Sequence, residues 1–254
     1  MKFPEAGEVG DRRTLVATWK RVICATSGSP TPVAGVSVSV RVLFGPTGVG
    51  KTNVLGALAS LGERVLDLEA LATHRGSAFG HAGLPPQPDQ PRFERALRAI
   101  LSDAANEVLW IEHEGPYLGR LAIPRAINAA MSHAPAVALR LDTSARVDRI
   151  VALLADASDA SIRASLDRVR PRLGPARSAA AAAAIARGDR AHFVRVLLPY
   201  YDRAYAYQSA RRMGAIVGEI DVSGRTAEEV ACRAIEIFRR RPTHRRVRFV
   251  EDRG

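Results

Sequence analysis

The segment Gly45-Pro46-Thr47-Gly48-Val49-Gly50-Lys51-Thr52 fits the pattern G-x-x-x-x-G-K-[S/T] in full. This pattern suits one kind of chemistry. Glycines let successive backbone N–H groups turn inward around phosphate oxygens. A helix that starts at the loop adds the positive end of its dipole. Lys51 supplies a point charge for the terminal phosphates, and the Thr52 hydroxyl is placed for Mg²⁺. The motif calls for a phosphorylated ligand without saying which one.

Three acidic or mixed groups could work beside such a loop. Val108-Leu-Trp-Ile-Glu112 is an apolar run that ends in an acid, with Glu114 two residues on. An acid at the end of a neighbouring strand orients Mg²⁺ or water in phosphate-loop proteins, so Thr52 and Glu112 are the expected metal contacts. Period two puts Glu112 and Glu114 on the same side if the strand continues. Asp67 and Glu69 repeat that spacing after Val65-Leu66. His74, Arg75 and Ser77 crowd around Gly76, where the backbone can come close to a ligand. The remaining histidines have no metal-ligand spacing with Cys24 or Cys232. Tyr200, Tyr201, Tyr205 and Tyr207 are interleaved with Arg203, as on base-stacking surfaces. Helical spacing makes the same tyrosines packing residues, and that reading is favoured.

The elements that must carry these residues follow from periodicity. Residues 36–44 alternate and end in an apolar run, which predicts a strand directly before the loop. A helix over 51–61 follows. Further strands are expected at 65–68, 108–111, 136–141 and 215–220. Helices are expected at 91–104, 124–132, 144–155 and 226–238, with Pro91 at a first helical position and Thr226 as N-cap. The alternation argues for an α/β protein, a mostly parallel sheet with helices on both faces. Over 158–213 no strand pattern is visible, and the alanine run 179–184 favours helix. The expected organisation is an N-terminal segment and linker over 1–35, a phosphate-loop domain over 36–240 with a helical Arg-rich insertion at 158–213, and a basic tail over 241–254, disordered or partner-dependent.

At 254 residues with 47% hydrophobic and 25% charged side chains, wholesale disorder is excluded. Two cysteines exclude a disulfide framework. No stretch of 18 apolar residues is present, so a cytoplasmic protein without membrane association is expected. The net charge of +11 comes from 37 basic and 26 acidic residues. Up to residue 160 the balance is 17 to 16, and beyond it 20 to 10. A basic second half suits a polyanion, most simply nucleic acid.

Taken together, the motifs resemble a known family. Gly45–Thr52, Val65-Leu-Asp-Leu-Glu69, His74-Arg-Gly-Ser-Ala-Phe-Gly80 and Gln87-Pro-Asp-Gln-Pro-Arg-Phe-Glu94 look like the P-loop domain of bacterial tRNA 2-selenouridine synthase. Weaker echoes lie in Trp110–Glu114, Leu118–Pro124 and Tyr201–Tyr205. The resemblance implies a P-loop NTPase-like fold, tRNA as partner, and action on wobble 2-thiouridine. It implies geranyl transfer from geranyl diphosphate, followed by replacement of the geranylthio group with selenium. The cofactor would be Mg²⁺ with a diphosphate or nucleotide, geranyl diphosphate or ATP. Asp67, Glu69, His74, Arg75, Glu112 and Glu114 become the expected catalytic residues, and Ser77, Gln87 and Gln90 the expected substrate contacts. Phe79 and Phe93 are candidates for an isoprenoid pocket. Family members also carry a rhodanese-like domain with a cysteine loop closed by arginine. Residues 1–35 are too short for one and Cys24-Ala-Thr-Ser-Gly-Ser-Pro30 lacks the arginine, so the selenium-transfer half is expected to be absent or on another chain, a separate rhodanese-like protein. Asp89 and Pro91 stand where the family motif usually has serine and lysine. Two other readings fit the residues: a small-molecule kinase or NTPase, and a non-catalytic tRNA-binding protein.

Overall fold

A computed structural model describes residues 37–76, 80, 84–241 and 246–248. Ser77, Phe79, the segment 1–35 and most of the basic tail lie outside the described residues. The central strand β1 is Ser37–Phe44. It pairs in parallel with β3, Val108–Glu112, on one side and with β6, Ala136–Arg140, on the other. β2, Val65–Leu66, lies outside β3, and β7, Ile216–Asp221, lies outside β6. The order β2-β3-β1-β6-β7 is therefore parallel throughout, as the strand–helix alternation requires.

Alternation along β1 divides the core. Val38, Val40, Val42 and Phe44 turn to one face, where α3 (Gln90–Asp103) and α4 (Arg125–His133) bury Phe93, Leu97, Ile127 and Met131 against them. Arg41 turns to the other face. There α1 (Lys51–Ser60) packs with α9 (Ala227–Arg240). On that face Trp110 meets Phe238 edge-on at 5.1 Å, and the Arg41 guanidinium lies over both rings. Burial between helices on both faces explains why β3 and β6 read as near-continuous apolar runs.

Between β6 and β7 runs the helical insertion. It comprises α5 (Thr143–Leu153), α6 (Asp159–Leu173), α7 (Pro175–Ala186) and α8 (Arg190–Ala210). It has its own apolar centre, with Ile162, Leu166, Ala181, Ala184, Phe193 and Leu197 all 3% exposed or less. The alanine run lets α7 approach α6 and α8 closely, while Arg163, Arg172, Arg177, Arg195 and Arg203 stay on the outer faces.

The structure differs from the sequence reading at four places. The second strand stops at Leu66, because the Asp67 side chain accepts from Ala70 N at 2.8 Å and caps the short helix α2, Leu68–Ala72. The helix expected from Pro91 begins one residue earlier, at Gln90. Asp89, the acid in the serine position, caps it through Arg92 N at 2.8 Å. A two-stranded hairpin that periodicity could not reveal, β4 (Tyr117–Leu118) with β5 (Leu121–Ala122), follows β3. Within the basic tail, β8 (Arg246–Arg248) adds to the sheet, antiparallel to the start of β1.

Candidate functional site

The phosphate loop leaves the carboxyl end of β1 and turns into α1. Gly48 and Gly50 have φ of +83° and +97°, conformations only glycine adopts at low cost. Gly45 has no room for a side chain, since a Cβ would lie 2.9 Å from Val49 Cγ1 and 3.0 Å from Leu139 O. Gly50 occupies the N-cap of α1 without a side-chain cap, so the first N–H groups of the helix are left for a ligand. The Lys51 ammonium donates to Gly45 O at 3.2 Å, lying across the loop it serves.

Thr52, the next residue of α1, faces the acids. Its Oγ1 lies 3.0 Å from Glu112 Oε2 and 3.2 Å from Glu69 Oε2. Carboxylate oxygens of Glu69, Glu112 and Glu114 all lie within 4.8 Å of one another. β3 ends at Glu112, so the period-two condition is not met, yet Glu114 still returns to the same side. Glu69 arrives from the first turn of α2, so the cap at Asp67 is what aims it. Gly76, at φ +68°, closes the cluster, because a Cβ there would lie 2.6 Å from Glu69 Oε1 and 2.9 Å from Glu114 Oε2.

Crowded carboxylates raise one another's proton affinity. Glu112 is fully buried, and burial first, then Glu69 and Asp67, push its carboxyl well above the usual range against the pull of Lys51 and Thr52. Glu114 is pushed up to about 8 by burial, helped by Glu112 and Asp67 and opposed by Lys51. His113 between them is held down at about 4 by burial and by the charges of Arg212 and Lys51, so it is neutral at pH 7.

A hard divalent cation fits this donor set. All the donors are oxygens, as Mg²⁺ requires. Glu112 Oε1 is buried without a hydrogen-bond donor, an acceptor that a cation would satisfy. Thr52, Glu69, Glu112 and Glu114 would hold the ion, which would neutralise charge on a bound phosphate.

Of the expected site residues, the structure brings Gly45–Thr52, Glu69, Glu112 and Glu114 together. Asp67 stands behind them as the cap. His74 is 5% exposed, with its ring against Gly80 and Gly119. Arg75 reaches towards Leu153 O at the end of α5, at 3.5 Å. Gln87 donates to Ala72 O and Leu118 O and accepts from Arg120 N, at 2.9–3.0 Å. Gln90 donates to Ala122 O and Glu94 and accepts from Ala122 N. Both amides thus hold the hairpin β4–β5. Phe93 is core, 1% exposed. Tyr205 packs on Phe44 at 4.9 Å, and Tyr200 and Tyr201 pack on the helical insertion. Tyr207 is exposed beside Arg211. Sequence reasoning passed over Arg146 and Arg149 of α5, whose side chains reach the phosphate loop. Their i, i+3 spacing on one helix face was the signal available.

Fold and loop define a P-loop NTPase-like α/β protein with a helical insertion before its last parallel strand. More narrowly, the model of the tRNA 2-selenouridine synthase AAA domain matches residues 38–231, and the chain belongs to that family. A tRNA 2-selenouridine synthase of Marinobacter nauticus is 32% identical over 209 residues, covering 70% of this chain and 56% of that protein. The protein of the same name from Verminephrobacter eiseniae is 35% identical over 224 residues, covering 76% and 60%. That from Hahella chejuensis is 36% identical over 205 residues, covering 67% and 52%. The chain thus spans little more than half the length of these relatives. Among the described residues no helix is long and apolar enough to cross a membrane.

Proposed function

We propose that this chain acts in the modification of wobble 2-thiouridine in tRNA, as a cytoplasmic transferase. In this reading the phosphate loop and Lys51 hold the diphosphate of geranyl diphosphate, or a nucleotide such as ATP. Thr52, Glu69, Glu112 and Glu114 hold Mg²⁺. The observation that carries the reading is the set of three carboxylates against the loop threonine, in a chain of this family. The exposed arginines of the helical insertion, among them Arg163, Arg172, Arg177, Arg195 and Arg203, suit tRNA phosphates.

In geranyl transfer the C1–O bond breaks and pyrophosphate leaves with the electron pair. The thiouridine sulfur forms the new C–S bond, and the base loses its N3 proton. Mg²⁺ would stabilise the charge on the leaving pyrophosphate. The chain's part is to clamp the diphosphate, keep it apart from bulk water and orient the base.

The test is incubation with thiolated tRNA, geranyl diphosphate and Mg²⁺, then digestion to nucleosides and mass spectrometry. A gain of geranyl mass on the thiouridine is expected. No gain, from folded protein that binds the tRNA, refutes the transferase. ATP turnover without tRNA, lost in Lys51→Ala, would instead identify a small-molecule kinase or NTPase.

A further inference from the structure

One almost fully buried arginine stands between the phosphate loop and the Arg-rich helices. Arg146 of α5 is 5% exposed. Its Nε donates to Thr47 O of the loop at 2.8 Å. Its Nη2 and Nη1 donate to the two carboxylate oxygens of Asp202, at 2.5 and 3.3 Å. Asp202 lies on α8, the longest helix of the insertion. One turn along α5, Arg149 Nη1 donates to Val49 O at 2.6 Å. Ile150 fills the space beside Gly48, where a Cβ would lie 2.8 Å from its Cδ1.

These bonds set the direction of the loop's peptides. A trans peptide is planar, so its C=O and N–H point opposite ways. Holding Thr47 O and Val49 O towards α5 therefore turns the Gly48 and Gly50 N–H groups away from it, into the loop. The orientation depends on Arg146 staying where it is. A buried guanidinium is stable there only with its carboxylate partner, and removing that partner leaves an uncompensated charge. The position of α8 is thereby transmitted to the loop through Arg146.

We propose that Arg146 and Asp202 are positioning residues that couple the helical insertion to the phosphate loop. Seating a polyanion on the insertion then tightens the loop's grip on a phosphorylated ligand. The proposal rests on the reading above, that the loop binds phosphate and the insertion binds RNA. Neither residue touches the ligand; each acts through the peptide planes of the loop.

The experiment is calorimetric titration of magnesium pyrophosphate into the full chain, with and without a saturating tRNA transcript. In wild type the transcript should tighten pyrophosphate binding by about fivefold or more, and pyrophosphate should tighten the transcript by the same factor, since linkage is reciprocal. Asp202→Asn and Arg146→Met should weaken pyrophosphate about tenfold and bring the linkage factor to about one, with transcript affinity alone unchanged. Asp159→Asn is the control. It breaks the ion pair to Arg190 at 2.9 Å in the same insertion, away from the loop, and should keep the wild-type factor. Should Arg146→Met fail to fold, the near-isosteric Asp202→Asn decides alone. Wild-type linkage retained in Asp202→Asn overturns the proposal. So does wild type that binds both ligands without linkage, which leaves the functional reading standing. Wild type that binds neither ligand overturns both.

Discussion

Replacing Glu114 by glutamine should stabilise the metal-free protein at alkaline pH and leave it unchanged in acid. The Glu114 carboxyl is pushed from the usual 4.5 to about 8. Between those values the folded chain holds a proton that the unfolded chain has released. The folded state binds more protons, so stability falls as pH rises through that window. Below 4.5 both states are protonated and the effect is absent. At about 1.4 kcal/mol per pH unit above 4.5, holding that proton at pH 7 costs roughly 2–3 kcal/mol once partial solvent access is allowed for. Glutamine carries no such cost and also relieves Glu112, whose carboxyl Glu69 and Asp67 already raise. Urea unfolding in EDTA, followed by tryptophan fluorescence to which buried Trp110 contributes, reads the difference. Wild type and Glu114→Gln should coincide near pH 4.5, and the variant should unfold at higher urea at pH 8. Excess Mg²⁺ at pH 8 should raise the wild-type midpoint more than the variant's, because an ion that binds only the folded state stabilises it by mass action. Parallel pH profiles in EDTA, or a wild type more stable than the variant at pH 8, would refute the reasoning.

Three further outcomes are expected. Lys51→Ala should weaken magnesium pyrophosphate by about 100-fold, near 3 kcal/mol for a charged hydrogen-bonding partner, without unfolding the chain. Among the described residues its ammonium donates to Gly45 O, and equal calorimetric affinities would remove it from the clamp. Gly76→Ala should cost roughly 1–3 kcal/mol by urea unfolding, since alanine must adopt φ +68° with its Cβ against Glu69 and Glu114; an unshifted midpoint would mean that the acids give way. Gln87→Leu should cost roughly 1–3 kcal/mol and lower amide-exchange protection at 117–122, because two bonds to the hairpin and one to Ala72 O disappear. Full protection in that variant would return Gln87 to the substrate contacts.

Much of the fold was legible because its signals are local. β1, β3 and β6 are apolar runs between turn residues, and each alternates with an amphipathic helix. Thr226 is the N-cap that its place in the sequence predicts, and with Glu229 it forms a full capping box. The elements that escaped notice are short or held from a distance. Each strand of the hairpin has two residues, and its register is maintained by Gln87 and Gln90, about thirty positions earlier. β8 is an arginine-rich tripeptide that becomes a strand only because the edge of β1 is there to receive it.

The phosphate loop is the part the sequence determined by itself. Its turns rest on glycines at positive φ and a helix that begins at Lys51, both encoded in eight consecutive residues, while the aim of its peptides is set by α5. The carboxylate cluster and the Arg146–Asp202 link belong to the tertiary structure. Glu69, Glu112 and Thr52 come from three different elements, and Arg146 and Asp202 stand 56 positions apart. Proton affinity and pairing depend on burial and on distances of a few ångströms, which exist only once the sheet has aligned the ends of its strands. Residue types announced that acids and arginines were available; packing decided which of them meet.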